Sequence, residues 1–269
     1  MDIRPIGMFD SGVGGLTVLK EVREYCPNES IIYLGDTARF PYGNKSKENI
    51  IEITKSGIEF LISKNVKAIV IACGTATSQA LEEVKDNYNI PIIGIINEAA
   101  SYIKEKDYKK IGVIATVGTI RSKGWENKIK EYVPDAIILN KACPLLAPMA
   151  EEGWIENEVA KLTIREYLKG LNDIECLVLG CTHYPLFKKV IEEELGKNKE
   201  LINAGEILAK RLNKILEDEN IENESKKIAE YEIYLTDTET NFVDVASKLL
   251  QDTNIKEKIN KTNIKHKND

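Results

Sequence analysis

Two apolar runs in this chain each end on a cysteine: Ala68-Ile69-Val70-Ile71-Ala72-Cys73-Gly74-Thr75 and Leu177-Val178-Leu179-Gly180-Cys181-Thr182-His183. Each has the length and branched-residue content of a strand buried on both faces, and each is followed by small or polar residues and then a helical pattern. Strands of that kind belong to parallel sheets, whose carboxyl ends are where open α/β folds bind ligands. Each thiol is therefore expected at a strand end beside a following helix start. The positive field there favours thiolate relative to a reference pKa of roughly 8.5. Two similar halves would offer two sulfurs to one cleft.

The alternation extends along the chain. Strands are expected at 6–9, 31–35, 68–72, 92–95, 111–115, 136–139, 177–180 and 231–235, with helices at 16–25, 48–63, 78–87, 98–104, 123–132, 155–168, 186–195, 205–216 and 241–250. This is the pattern of βαβ units and predicts a doubly wound α/β architecture. The length of 269 residues suits two domains. A changeover near Asn97 and a return after Ala204 would give a discontinuous first domain, 1–96 and 205–269, and a second at 97–204. The charged segment 217–227 lacks apolar periodicity and reads as an exposed connection.

Composition excludes several classes. The hydrophobic share of 43% and charged share of 30% are those of a soluble globular chain. The apolar runs are strand-length, and the start Met1-Asp2-Ile3-Arg4-Pro5 has no signal-peptide core, so neither a membrane span nor export is expected and a cytoplasmic location is. Five cysteines without scaffold spacing fit a reducing compartment. A net charge of -6 gives no global attraction to nucleic acid, and the Lys/Asn-rich tail, 256–267, reads as a solvated end.

Three loops could carry chemistry. Asp10-Ser11-Gly12-Val13-Gly14-Gly15-Leu16-Thr17 is a glycine-rich turn opening onto a helix; it reads either as a cradle for a carboxylate-sized anion or as a strand-to-helix turn capped by Asp10 or Ser11. It matches neither the P-loop nor the dinucleotide fingerprint. Asp36 to Gly43 contains Pro41-Tyr42-Gly43, a constrained turn that can aim N–H groups and a phenol into a cleft. The cysteine loops come third. A buried structural thiol is the bland reading of one cysteine, and Cys26, Cys143 and Cys176 keep it; Cys73 and Cys181 stand in matching settings. A zinc site lacks closely spaced partners, the two histidines being His183 and His266. A cysteine hydrolase pairing Cys181 with His183 leaves Cys73 idle. A two-thiol cleft suits removal of a proton from one face of an acidic carbon and its return to the other, with the sulfurs about 7 Å apart.

These residues resemble glutamate racemase, the cofactor-independent amino-acid racemase of bacterial cell-wall synthesis. The resemblance runs through Phe9 to Thr17, Gly35-Asp36 with Pro41-Tyr42-Gly43, Ala72-Cys73 with Thr75-Ala76-Thr77, Gly112 to Thr116 with Gly118-Thr119, Ala142-Cys143-Pro144-Leu145 with Glu151-Glu152-Gly153, and Gly180-Cys181-Thr182-His183-Tyr184-Pro185. It implies two pseudosymmetric α/β domains with mainly parallel sheets, glutamate held at their interface, and no pyridoxal phosphate or metal. Cys73 would act on the D-enantiomer and Cys181 on the L-enantiomer, assisted by Asp10 and His183 respectively. Ser11, Pro41, Tyr42, Gly43, Thr75, Thr119 and Thr182 would bind substrate, with Gly74 at the same wall; Asp36 and Glu151 or Glu152 would tune the proton chemistry. A homodimer is an open expectation.

One departure stands out: the family has Asn where this chain has Gly74. Losing a bond to a charged ligand group costs roughly 1.5 to 3 kcal/mol unless water replaces it. The rivals are racemization of aspartate and a weakly active relative serving as a binding protein, for example on DNA gyrase; a gain of activity in Gly74→Asn would mark an under-equipped site. The segment Thr236-Asp237-Thr238-Glu239 also departs from the family's Ser-Gly-Asp-like turn.

Overall fold

The computed structural model describes residues 2–196, 198–225, 229–238 and 242–264. Lys226, Lys227, Glu239, Asn241 and His266, each named in the sequence expectations, lie outside them. Ten strands are described: β1 (Ile6–Asp10), β2 (Ile31–Gly35), β3 (Ala68–Ile71), β4 (Ile92–Gly94), β5 (Lys110–Ala115), β6 (Ile137–Ala142), β7 (Cys176–Leu179), β8 (Glu200–Asn203), β9 (Tyr231–Leu235) and β10 (Ile259–Lys261). The helices are α1 (Leu16–Tyr25), α2 (Lys47–Ser63), α3 (Gly74–Val84), α4 (Ile95–Glu105), α5 (Val117–Ser122), α6 (Gly124–Tyr132), α7 (Leu146–Glu151), α8 (Glu158–Leu168), α9 (Lys188–Leu195), α10 (Ala204–Asp218) and α11 (Phe242–Leu250).

The strands form two sheets, ordered β10-β9-β2-β1-β3-β4 and β6-β5-β7-β8. All of their pairings are parallel, as the branched apolar runs require. β1 and β3 lie side by side at the centre of the first sheet, as do β5 and β7 in the second, so both cysteine loops leave from the middle of a sheet. The expected changeover at Asn97 falls in the first turn of α4, and the expected return after Ala204 falls in the first turn of α10.

The helices between the sheets explain why they hold together. Ile95, Ile96, Ala99, Ala100 and Ile103 of α4 follow helical spacing, as do Leu208, Leu212 and Leu216 of α10. They join Leu19 and Val22 of α1, Trp125 and Ile129 of α6, Met8 and Val70 of the first sheet and Val113 and Val178 of the second in one continuous core. The outer faces are covered separately: Ile58 and Leu61 of α2 and Ala80 and Val84 of α3 on the first sheet, Ile164 and Leu168 of α8 and Val190 and Ile191 of α9 on the second.

Four sequence expectations are corrected. β8 and β10 add a strand to each sheet, and α5 and α7 are extra short helices. α3 begins at Gly74 rather than Ser78, because tertiary packing of Ala76 and Ala80 outweighs the weak helix propensity of Gly-Thr-Ala-Thr. Glu217 and Asp218 belong to α10, not to a connection. Asn223 is buried, its N–H donating to Glu29 at 2.9 Å, so this stretch is anchored rather than free. No helix among the described residues is long and apolar enough to cross a membrane.

Candidate active site between the two sheets

Segments following the carboxyl ends of β1, β2, β3, β5, β6 and β7 surround a cavity lined by Ser11, Phe40, Pro41, Tyr42, Gly43, Cys73, Gly74, Thr75, Thr116, Ala147, Cys181, Thr182 and His183. It leaves about 20 Å³ for the centre of a water molecule, space for about one water. Both cysteines of interest thus line one small cavity from opposite sheets. All five cysteines are free thiols.

Cys73 caps the start of α3, and its sulfur lies 3.9 Å from the Ser11 hydroxyl. The helix starts directly after Cys73, four residues earlier than the sequence suggested, yet the expected preference for thiolate does not follow. Burial pushes the Cys73 thiol up to about 12, the Asp10 carboxylate adds to the shift, and the Ala76 N–H only partly offsets it. Loss of hydration outweighs the helix field, so Cys73 is a thiol at neutral pH.

Cys181 sits in a different environment. It precedes a 3₁₀ turn (Tyr184–Phe187) rather than the first turn of α9. Its sulfur lies 3.7 Å from His183 Nδ1, and His183 Nε2 lies 2.7 Å from Glu151 Oε1. Burial alone would lower the His183 pKa; the bonds to Cys181 and Glu151 outweigh it and raise the pKa to about 10. His183 therefore holds its proton between a sulfur and a carboxylate, and its ring packs 5.5 Å from that of Phe40. Glu151 makes this contact; the exposed Glu152 does not.

Asp10 lies behind the cavity wall, fully buried. Its Oδ1 accepts the N–H groups of Gly12 and Gly15 at 3.1 and 3.0 Å, and its Oδ2 accepts the Thr182 hydroxyl at 3.2 Å. Burial raises its pKa to about 6 against the His183 charge and the N–H bonds. Asp10 thus ties the glycine turn of one half to the second cysteine loop, where the resemblance pairs it with Cys73. Thr119 likewise sits behind the wall: Thr75 Oγ1 is 3.0 Å from Oγ1 of both Thr116 and Thr119, and the latter two are 2.9 Å apart.

Cys73, Cys181, His183, Ser11, Pro41, Tyr42, Gly43, Gly74, Thr75 and Thr182 line the cavity; Glu151 reaches it only through His183, and Glu152 does not reach it. Nor does Asp36. It accepts Arg39 Nη1 at 2.5 Å, the Tyr42 hydroxyl at 2.6 Å and the Thr236 hydroxyl at 2.9 Å, and so fixes the loop carrying Phe40 to Gly43. Phe40, Thr116 and Ala147 line the cavity without having been singled out as ligands. Thr116 carried a readable signal, a strand end followed by Val-Gly-Thr, and it caps α5. Phe40 and Ala147 carried none.

Gly74 has a geometric reason to lack a side chain. A Cβ there would stand 2.4 Å from the Gly180 carbonyl oxygen. Asparagine at this position would have to displace the Gly180 carbonyl, so Gly74 lets the two cysteine loops approach closely.

Residues 6–212 match the sequence profile of the family described as Asp/Glu/Hydantoin racemase. A glutamate racemase of Geobacter metallireducens is 41% identical over 253 residues, covering 93% of this chain and 94% of its own length. The chain belongs to the Asp/Glu/hydantoin racemase family. Another relative of this racemase, the glutamate racemase of Sulfurihydrogenibium sp., is 44% identical over 92% of this chain and 94% of its own. The crystal structure of glutamate racemase from Francisella tularensis, in complex with D-glutamate, superposes with a TM-score of 0.91 at 36% identity, covering 98% of this chain and 99% of that one. The mixed α/β architecture with parallel sheets is common to both.

Proposed function

We propose that this racemase interconverts L- and D-glutamate by two-base proton transfer between Cys73 and Cys181, in the cytoplasm, supplying D-glutamate for peptidoglycan. The observation that carries the reading is the entry of both cysteines, from opposite sheets, into one small cavity that Ser11, Thr75, Thr182 and His183 also line. In this reading one sulfur takes the Cα proton as the other delivers its own to the opposite face, and their roles exchange with direction. Cys73, held as a thiol by burial, is the proton donor ready for substrate approaching through Cys181. His183, bonded to Glu151, keeps a mobile proton beside Cys181. Asp10 positions Thr182 and the glycine turn. Ser11, the backbone of Pro41 to Gly43, Gly74, Thr75 and Thr182 hold the substrate's charged groups, with Thr119 supporting Thr75 from behind. The segments 1–96 with 205–269, and 97–204, act as the two jaws. The cavity as it stands holds about one water, and in this reading the jaws part to admit glutamate.

The test follows the optical activity of L- or D-glutamate, with aspartate as a control substrate. Wild type should convert both glutamate enantiomers; Cys73→Ser and Cys181→Ser should each lose turnover while still binding glutamate. Normal turnover in either variant would remove its sulfur from the mechanism, and faster conversion of aspartate would reassign the substrate.

A further inference from the structure

A second cavity, of about 240 Å³, lies at the rim of the cleft and shares no lining residue with the first. Lys45 and Lys47, flanking the Ser46 cap of α2, form one wall together with Gln79 of α3; Gly118 and Arg121 of α5 belong to the other. No acidic residue among the described residues lines it. The Lys47 ammonium is paired with Glu83 at 2.8 Å, whereas Lys45 and Arg121 have no ion-pair partner among the described residues. Gln79 is 8% exposed and its amide makes no hydrogen bond to a described residue. The amide stays accessible from the cavity, so what fills the cavity is its remaining hydrogen-bond partner.

Ser46 accepts the Asn49 N–H at the start of the 17-residue helix α2 and Glu48 lies in its first turn, so the positive charge at the cavity rests on Lys45 and Arg121 rather than on the helix. We propose that this cavity binds a small dianion of the phosphate class, either free phosphate or the phosphate group of an ester, between Arg121 and the Lys45–Lys47 turn, with Gln79 donating to it. The guanidinium fork suits an oxyanion, and the two walls come from opposite sides of the cleft. The same seam borders the catalytic cavity: a Cβ on Gly118 would lie 2.8 Å from the carbonyl oxygen of Gly43, which lines that cavity. A ligand bridging the walls therefore resists the parting of Gly43 from Gly118 and slows substrate entry.

Calorimetric titration of the full chain with inorganic phosphate, and separately with glycerol 3-phosphate, at constant ionic strength in chloride, tests binding without reference to the reaction. Saturable binding of at least one should appear, weakened tenfold or more in Arg121→Ala and in Lys45→Ala; the tighter of the two identifies the source. Absence of binding, or binding equally strong in both variants, would overturn the proposal. In a second arm, which rests on the racemase reading, phosphate should lower kcat/KM for glutamate in wild type and leave it unchanged in Arg121→Ala. An equal effect in both would remove the coupling to the cleft, whatever the calorimetry shows.

Discussion

Replacing Asp10 by asparagine separates what the carboxylate does to the fold from what it does for chemistry. The group is fully buried, and its pKa stands at about 6, against about 3.9 in an unfolded chain. The folded protein therefore binds the Asp10 proton more tightly than the unfolded one. Its stabilising contribution is complete below about pH 4 and is lost as the pH rises through about 6. A shift of about two units is worth about 3 kcal/mol. Asparagine keeps an oxygen for the Gly12 and Gly15 N–H groups, and its amide can donate to a rotated Thr182 hydroxyl. Urea unfolding of wild type and Asp10→Asn at several values from pH 4 to pH 7.5 should show the variant gaining about 3 kcal/mol on wild type over that range, while its racemization rate falls. A stability difference that stays constant with pH would refute the argument, because it would mean that desolvation does not govern Asp10.

At position 74, Gly74→Ala and Gly74→Asn should both reduce kcat/KM for glutamate, by roughly 5- to 100-fold, since overpacking costs about 1 to 3 kcal/mol and a Cβ meets the Gly180 oxygen at 2.4 Å; a gain in Gly74→Asn would show that the cleft works more open than it stands here. His183, with a pKa of about 10, stabilises the fold fully below about pH 6.5 and loses that contribution as the pH rises through its folded value. In Glu151→Gln the loss should begin at lower pH, because the carboxylate that helps hold the proton is gone, and imidazole titration by NMR should report the same downward move. Thr75→Val, which removes the hydroxyl shared by Thr116 and Thr119, should raise the KM for glutamate more than it lowers kcat.

The central strands were legible because burial on both faces leaves a run such as Ala68 to Ala72 with no polar position to interrupt it. The edge strand Glu200–Asn203 was not: it is short, begins on a charged residue and follows a Lys/Asn stretch, so only its pairing with β7 defines it. Helices α5 and α7 span six residues each, and Pro148 lies inside α7, too little periodicity for a pattern to emerge. The cavity-lining residues were legible to the extent that they follow strands in short polar motifs. The work of Asp36 depends on Thr236, far along the chain, and the protonation of Cys73 depends on how completely the fold buries its thiol and on Asp10 being brought near it. Neither dependence leaves a local mark in the sequence, which is why the helix field looked decisive for Cys73 and proved secondary.

The central claim is that sulfurs on opposite sides of one stereocentre exchange its proton. Incubation with L-glutamate and, separately, with D-glutamate in deuterium oxide, followed by mass analysis of the Cα position after chromatographic separation of the enantiomers, tests it most directly. Deuterium should enter the product enantiomer in both directions, and both transfers should stop in Cys73→Ser and in Cys181→Ser. Inversion without incorporation of solvent deuterium, or labelled product enantiomer that still forms after loss of either sulfur, would contradict the account.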